Sequence, residues 1–176
     1  VVDLVTSRDQ LETLLVEAAQ APAIALVTPI PSSARLVDAE PVGVALSWER
    51  GRAAYVPLHH QAELMPVTEK SETAGTLTPE DALALLRPFL SSNSRASIVH
   101  VARESLTPIG NIGVSLGGRL WDTSVAAHLL GKPFTALVPL VLSELGEELP
   151  TTAQLLGTGR KAVPFESLPS DVAAAY

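Results

Sequence analysis

An uninterrupted apolar run, Ala23-Ile-Ala-Leu-Val27, is followed by a threonine and then by Pro29 and Pro31. A run of this length predicts a strand over residues 23–28 that is buried on both faces and ends in a stiff, extended loop. In an α/β sheet, sites usually lie just past the carboxyl ends of the strands. This strand end is therefore the first place to look for a site, yet residues 23–31 include no carboxylate, histidine or lysine.

Helical spacing of apolar residues follows two clear start signals. Ser7 and Gln10 form a capping box before a helix that Pro22 closes, and Thr78-Pro79, with acids directly behind it, opens a second helix. Shorter helical patterns occupy the second half of the chain. They cover 104–113 (a short helix or an irregular turn), Asp122 or Thr123 to Leu130, Phe134 to Leu145, Thr151 to Leu156, and a last helix from Ser170 or Asp171.

Three further strands are predicted. Val42 to Trp48 and Arg52 to Pro57 flank a tight turn at Gly51 and predict a β-hairpin. Ser97 to Val101 predicts a fourth strand, and the polar residues 59–76 predict a surface loop. The order of elements predicts an α/β protein with a mixed sheet flanked by helices, and no internal repeat is visible.

Composition narrows the class of protein. The 176 residues are 47% hydrophobic and 18% charged, which is typical of one globular domain, and only 4% are aromatic, so the core is expected to be aliphatic. The net charge of −7 argues against an autonomous nucleic-acid binder, although one edge could still contact DNA beside a basic neighbour. The chain has no cysteine, so it has neither disulfides nor a thiolate zinc site.

Other features of the sequence indicate a soluble fragment of a larger protein. No apolar run is long enough to span a membrane and no signal peptide is visible, so a cytoplasmic protein is expected. The chain starts at Val1 without a methionine, and it ends at Tyr176 within a helical pattern. Arginine outnumbers lysine nine to three, a bias typical of GC-rich genomes.

Several groups could suggest a site, but each has a simpler interpretation. The stretch from Gly157 to Lys161 lacks the spacing of a phosphate loop and is interpreted as a flexible turn. His59 and His60 could suggest a metal or a general base, but the preferred interpretation is a solvated strand end, since adjacent side chains of a strand point to opposite faces. His100 is expected to be a satisfied core or edge histidine.

Serine and acidic side chains are judged in the same way. Ser32, Ser33 and Ser105 are candidate nucleophiles, but none lies in a nucleophile-elbow motif, so a serine hydrolase is not favoured. Most acids coincide with predicted helix starts, where capping and the helix dipole account for them. These acids are Asp9, Glu80, Asp81, Asp122 and Asp171.

Several segments carry a resemblance to a known family. They are Ala21 to Leu26, Leu36 to Ser47, Gly51 to Pro57, Ala82 to Leu90, Trp121 to Thr123 and Leu155 to Gly159. In this order they resemble the 3′–5′ proofreading exonuclease domain of bacterial family A DNA polymerase (DNA polymerase I). The resemblance implies a ribonuclease H-like mixed sheet flanked by helices, the DnaQ-like 3′–5′ exonuclease fold. It covers nearly the whole chain.

The resemblance also implies where a catalytic site would lie. In the family, an Asp-x-Glu motif at the end of the first strand and two further aspartates hold two divalent metals, which act on the phosphodiester. Here the Asp-x-Glu positions correspond to Val27 and Pro29, and the second motif falls at Val101 and Ser105. Tyr176 is the one expected remnant, as the tyrosine of the third motif. No catalytic, metal-binding or cofactor-binding residue is therefore predicted.

The leading hypothesis is a catalytically degenerate exonuclease-like domain over residues 1–176, of an actinobacterial-type DNA polymerase I. It implies a monomer that acts structurally beside the polymerase and 5′-nuclease domains of one chain, in replication and repair. It binds no cofactor itself, whereas the parent polymerase uses Mg²⁺ and contacts DNA at the nucleoid. One alternative is an active exonuclease that uses other carboxylates, such as Asp38, Glu40, Glu104 or Asp122. A second alternative is an unrelated α/β interaction domain.

Overall fold

A computed structural model describes residues 2–60, 77–159 and 162–175. It contains a six-stranded mixed sheet in the order β1-β4-β3-β2-β5-β6. The strands are β1 (Val2–Leu4), β2 (Ala23–Val27), β3 (Gly43–Glu49), β4 (Arg52–Pro57), β5 (Ala96–Val99) and β6 (Leu120–Asp122). The predicted mixed sheet flanked by helices is confirmed.

Seven helices accompany the sheet in the described part of the chain, together with a short 3-10 turn at Phe165–Ser167. They are α1 (Arg8–Ala18), α2 (Pro79–Leu90), α3 (Ala102–Asn111), α4 (Thr123–Leu129), α5 (Leu137–Leu145), α6 (Thr152–Leu156) and α7 (Ser170–Ala175). The predicted start signals are confirmed, because the Ser7 and Thr78 side chains accept hydrogen bonds from the Gln10 and Asp81 amides. The acids predicted at helix starts lie in first turns or at the N-cap.

Strand pairing determines which strand ends meet. β2, β5 and β6 are parallel neighbours, whereas β3 is antiparallel to β2 and β4, and β1 is parallel to β4. The hairpin of β3 and β4 turns at Gly51, whose φ is +78°, as predicted. The sequence patterns missed β1 as a strand and gave β6 only as a helix start, since each has three residues, too few to show a period.

The main core lies on one face of the sheet, beneath α1, α2 and α3. Helices α1 and α2 also contact each other across it. This core is aliphatic, as expected, apart from Phe89 and the partly buried Trp48 at its margin. Its fully buried side chains include Leu11, Leu86 and Ile109 from the helices and Ile24, Leu26 and Val44 from the sheet.

A second, smaller core lies under the last elements of the chain. It contains Val42, Tyr55, Phe165, Leu168 and Ala173, and α7 contacts β1 and β4. The part of the sheet near β2 and β5 is less covered on this side. The Val27 side chain is 55% exposed, so the prediction that β2 is buried on both faces was wrong.

Other boundaries also differ from the predictions. β5 ends at Val99, two residues early, because the chain turns sharply at Val101. Helix α5 begins at Leu137, not at Phe134. Of the predicted loop over 59–76, residues 61–76 lie outside the described residues. No helix in the described ranges is both long and apolar enough to cross a membrane.

Candidate functional site

The carboxyl ends of three parallel strands meet at one edge of the sheet. β2 ends at Val27, β5 at Val99 and β6 at Asp122. Because β5 pairs with both of the others in parallel, these ends lie side by side. The four degenerate positions predicted from the resemblance fall on β2, just after β2, just after β5 and on α3. They therefore belong to this edge, where α/β sheets place their sites.

The two predicted positions at the end of β2 offer no side-chain ligand atom. Val27 is a half-exposed aliphatic side chain, and Pro29 uses its carbonyl oxygen to accept a 2.8 Å hydrogen bond from the Val42 amide. A hard divalent cation needs oxygen ligands, preferably carboxylates. Neither side chain provides one, so the first pair of positions does not fit a metal.

Val101 has an unusual backbone. It is the N-cap of α3, with φ 57° and ψ 77°, and it is the one non-glycine residue with positive φ in the described part of the chain. This left-handed region is unfavourable for a β-branched side chain, whereas asparagine adopts it readily. The resemblance places the asparagine of the family's second motif at this residue. The backbone here has the conformation that suits that asparagine better than valine.

Ser105 is the other position of this motif. It lies on α3 and is only 5% exposed, and its carbonyl oxygen accepts a 3.3 Å hydrogen bond from the Thr28 hydroxyl. The bond ties α3 to the residue that follows β2. Its side chain is a neutral hydroxyl, so this position supplies no carboxylate. Because the Ser105 side chain is buried, it gives no support to the serine-nucleophile interpretation.

Asp122 is the carboxylate that this edge does contain. Its Oδ1 accepts hydrogen bonds from the amides of Ser124 (2.8 Å), Val125 (3.3 Å) and Val101 (3.2 Å), and its Oδ2 accepts one from Ala102 (2.6 Å). Burial raises the pKa of the Asp122 carboxyl, but the four amides together outweigh this and hold the pKa below its usual value. The carboxylate therefore joins the first turns of α3 and α4.

The capping role of Asp122 was predicted, but its bond to α3 was not. The signal available in the sequence was the Trp121-Asp-Thr helix start, which reveals only the local cap. The amides of Val101 and Ala102 approach it because β5 and β6 are neighbours, and this pairing is not visible in the sequence.

The other carboxylates named as alternative ligands do not gather here. Asp38 is exposed and pairs with Arg35 at 3.1 Å, while Glu40 and Glu104 are exposed. Among the described residues, no group of three or more histidine, cysteine or acidic side chains could hold a metal ion. The side chains present at this edge do not fit a two-metal site. Tyr176 lies outside the described residues.

The loop after β2 is held by the 3-10 turn at Phe165–Ser167. The Ser32 amide donates to Glu166 Oε2 at 2.9 Å, and the Ser32 hydroxyl accepts a 2.9 Å bond from the Phe165 amide. Glu166 is only 5% exposed. Ser32 is thus a structural residue, and Ser33 is exposed. This reciprocal pairing across more than 130 residues was not foreseen from the sequence.

His60 corrects a prediction. It is not a solvated strand end, because it is 2% exposed and lies against Tyr55 and Phe165. Its Nδ1 is 2.9 Å from the Leu168 carbonyl, which can only accept, so Nδ1 donates this hydrogen bond, and its Nε2 is hydrogen-bonded to the Tyr55 hydroxyl at 2.7 Å. A Cβ at Gly43 would overlap the Tyr55 ring, so glycine is needed there.

The remaining candidates have structural roles. His59 is exposed, with Nδ1 3.3 Å from the Pro41 carbonyl, and this agrees with the predicted solvated end. His100 contacts the Thr123 hydroxyl at 2.9 Å and is a satisfied edge histidine, as expected. Gly157 and Gly159 both have positive φ in an ordinary turn, while residues 160 and 161 of that loop lie outside the described ranges.

Two relatives align with this chain over most of its length. DNA polymerase I of Chloroflexus aurantiacus is 29% identical over 177 residues, which cover 99% of this chain and 17% of the relative. The predicted resemblance is confirmed: this chain is homologous to a segment of DNA polymerase I. DNA polymerase I of Pseudomonas aeruginosa is 27% identical over 143 residues, covering 79% of this chain and 15% of the relative. The chain thus spans about a sixth of the length of these polymerases.

Solved structures show the fold. RNase D of Escherichia coli, an exoribonuclease involved in structured RNA processing, aligns with a TM-score of 0.66 and 20% identity over 99% of this chain and 41% of its own. The POL domain of Pol1 from M. smegmatis, in complex with DNA primer-template and dNTP, aligns with a TM-score of 0.63 and 19% identity over 85% of this chain and 23% of its own. The fold is the ribonuclease H-like fold of 3′–5′ exonucleases. No protein-family model matches the chain.

Proposed function

We propose that this chain is a metal-free, catalytically inactive 3′–5′ exonuclease-like domain of a DNA polymerase I. The observation that carries the proposal is the end of β2, where Val27 and Pro29 stand at the positions of the Asp-x-Glu motif and offer no side-chain oxygen. Two-metal hydrolysis needs carboxylates that hold both cations near the attacking water and the leaving oxygen. Without such ligands, this edge provides neither an activated water nor compensation for developing charge.

The engagement of Asp122 supports the same conclusion. A carboxylate that already accepts four backbone hydrogen bonds has little capacity left for a cation, and removing it from those amides would leave the starts of α3 and α4 without partners. Val101 and Ser105 add no charge. The domain therefore works without a cofactor, and the Mg²⁺ of the parent polymerase serves the polymerase reaction.

The role that remains is structural. The homology to a segment of two DNA polymerase I proteins supports a domain that sits beside the polymerase and 5′-nuclease regions of one chain and keeps them in register. DNA is then contacted through the parent enzyme, a monomer of the cytoplasm that acts at the nucleoid in replication and repair. The acidic net charge of −7 agrees with a domain that no longer draws a DNA end into a metal site.

A nuclease assay tests the inactivity. The chain is incubated with a 5′-labelled single-stranded oligonucleotide and either Mg²⁺ or Mn²⁺, beside a 3′–5′ exonuclease that has its carboxylates. We expect no shortening from the 3′ end above the background without metal. Metal-dependent shortening that co-purifies with the chain and disappears in the variant Asp122→Asn or Glu104→Gln would overturn the proposal in favour of an exonuclease with other carboxylates.

A further inference from the structure

Apolar side chains are exposed in one part of the chain far more than elsewhere. Nine of the fifteen large hydrophobic side chains that are exposed in the described residues lie between Leu120 and Leu145. We call these nine side chains the β6–α5 face. They are Leu120, Trp121, Val125, Leu129, Leu130, Phe134, Leu137, Leu142 and Leu145. Soluble monomers rarely leave so many apolar side chains of neighbouring elements in contact with water.

Of the elements that carry this face, β6 pairs with β5 in the sheet, and helices α4 and α5 contribute one buried residue between them. α4 follows β6 directly and contacts it, and it contributes one buried residue, Ala127. Lys132, in the connection to α5, donates to Glu144 Oε2 at 2.7 Å and through its amide to the Ala127 carbonyl at 3.0 Å. α5 itself has no buried residue, although Leu is its commonest side chain. A helix that is apolar and yet exposed normally has a partner.

We propose that the β6–α5 face is covered by the part of a DNA polymerase I chain that lies outside these 176 residues. This inference rests on the proposal that the chain is a domain of such a polymerase. The C. aurantiacus relative aligns with 99% of this chain but over only 17% of its own length, so more than four-fifths of that polymerase lies elsewhere. The M. smegmatis Pol1 structure likewise aligns over 23% of its chain.

Covalent connection favours this occupant over a second copy. A surface on the same polypeptide is present at a high effective concentration, about millimolar for short flexible connections, whereas a second molecule must associate from dilute solution. The exposed apolar area also needs no separate partner protein if the parent chain supplies the opposing surface.

The charges of the face argue for protein and against nucleic acid. From residue 119 to residue 148 the sequence has four acidic residues and two cations, Lys132, which pairs with Glu144, and Arg119, which lies 5.8 Å from the centre of the Trp121 ring. A surface that binds phosphates needs cations to replace the counterions of the backbone. This one would repel phosphates, while its leucines suit the apolar interior of a contact between domains.

Hydrogen exchange in the full-length gene product tests the docking. The variant Leu129→Asp/Leu142→Asp places two charges on the face, and the control Val16→Asp places one on α1, where Val16 is 68% exposed. We expect the double variant to lose at least tenfold of the amide protection of α5, and the control to retain it. Equal protection in both variants would overturn the proposal.

Cross-linking identifies the occupant even if the double variant folds poorly. A photo-reactive phenylalanine analogue replaces Leu145, which is 67% exposed, in the otherwise unchanged full-length protein. We expect cross-links within one molecule to peptides outside this segment. Cross-links only between molecules would indicate a second copy, and cross-links only within the segment would indicate no partner. Either result would overturn the proposal. A gene that encodes no polymerase region would also overturn it.

The two proposals fail separately. Metal-dependent 3′ shortening by this segment would refute its inactivity and leave the cross-links unchanged. Absent cross-links together with absent shortening would refute the docking and leave the inactivity in place.

Discussion

The ends of β2 and β6 lie at the same edge of the sheet and have opposite chemistry. β2 ends in an exposed valine, and the residues from Thr28 to Pro31 that follow it have no charged side chain, whereas β6 ends in an aspartate whose carboxylate accepts four amide hydrogen bonds. Between them, β5 leads into α3 through the strained Val101. The comparison sets a strand end without a carboxylate beside a strand end whose carboxylate supports the fold.

The difference follows from the free energy of folding that is gained or lost when each kind of carboxylate is replaced. Clustered metal ligands repel one another unless cations are bound, so replacing them with apolar side chains removes repulsion and is tolerated. Asp122 satisfies backbone donors at two helix starts, and those donors have no other partner in the described residues if it is lost. Only the second kind of carboxylate is needed for folding when activity is not required.

The largest expected effect is at Asp122. Asp122→Ala leaves the amides at the starts of α3 and α4 without their acceptor, and we expect the free energy of unfolding to fall by about 2–4 kcal/mol. Urea denaturation of the 176-residue chain measures it. Asp38→Ala is the matched control, because its exposed pair with Arg35 contributes little, and a similar loss in both variants would contradict the role given to Asp122.

The dependence of folding stability on pH should also reveal the contribution of the Asp122 carboxylate. The pKa of Asp122 is lower in the folded protein than its ordinary value, so its contribution to stability is complete above about pH 4 and is lost as the pH falls through the folded pKa. In denaturation series between pH 2 and pH 6, Asp122→Asn should flatten the acid limb of the wild-type curve. Parallel curves for the two proteins would mean that the carboxylate is not stabilised by folding.

A smaller effect of opposite sign is expected at Val101. Val101→Asn relieves an unfavourable left-handed backbone and keeps the amide that donates to Asp122, so we expect a gain of about 1 kcal/mol. The control Val125→Asn lies on the exposed side of α4 and should be neutral or slightly destabilising. The thermal midpoints of both variants decide this, and a loss at Val101 would show that its side-chain packing outweighs the strain.

The smallest effect should be at Val27. Since its side chain is 55% exposed, Val27→Asp should change the free energy of unfolding by no more than about 0.5 kcal/mol. Leu26→Asp, one residue earlier and 1% exposed, buries an unpaired charge and should cost about 3 kcal/mol or more. Equal losses would show that the end of β2 is a packed core position and not an open edge.

Much of the fold could be predicted because its signals are local. The capping residues Ser7 and Thr78, the turn at Gly51 and the apolar run of β2 each depend on a few adjacent residues, and the structure has all of them. The three-residue strands β1 and β6 could not be predicted, since only pairing with longer neighbours makes them strands.

The candidate site was harder to predict, because it depends on contacts between distant residues. The resemblance indicated positions, but it could not show that Asp122 joins two helices or that Ser32 pairs with Phe165 and Glu166. Nor could it show that His60 is buried against Tyr55, because a histidine beside another histidine at a strand end has the pattern of a solvated residue.

The backbone at Val101 has a consequence for comparing this chain with other proteins of the same fold. A residue can be replaced by a single mutation, but the conformation it occupied is determined by the surrounding elements, here by β5, β6 and the amides bound to Asp122. The backbone at Val101 therefore keeps a left-handed conformation although a β-branched side chain occupies it. A β-branched residue with positive φ can be searched for in any family of known fold, and it identifies a position where the surrounding structure, not the side chain present, determines the backbone conformation.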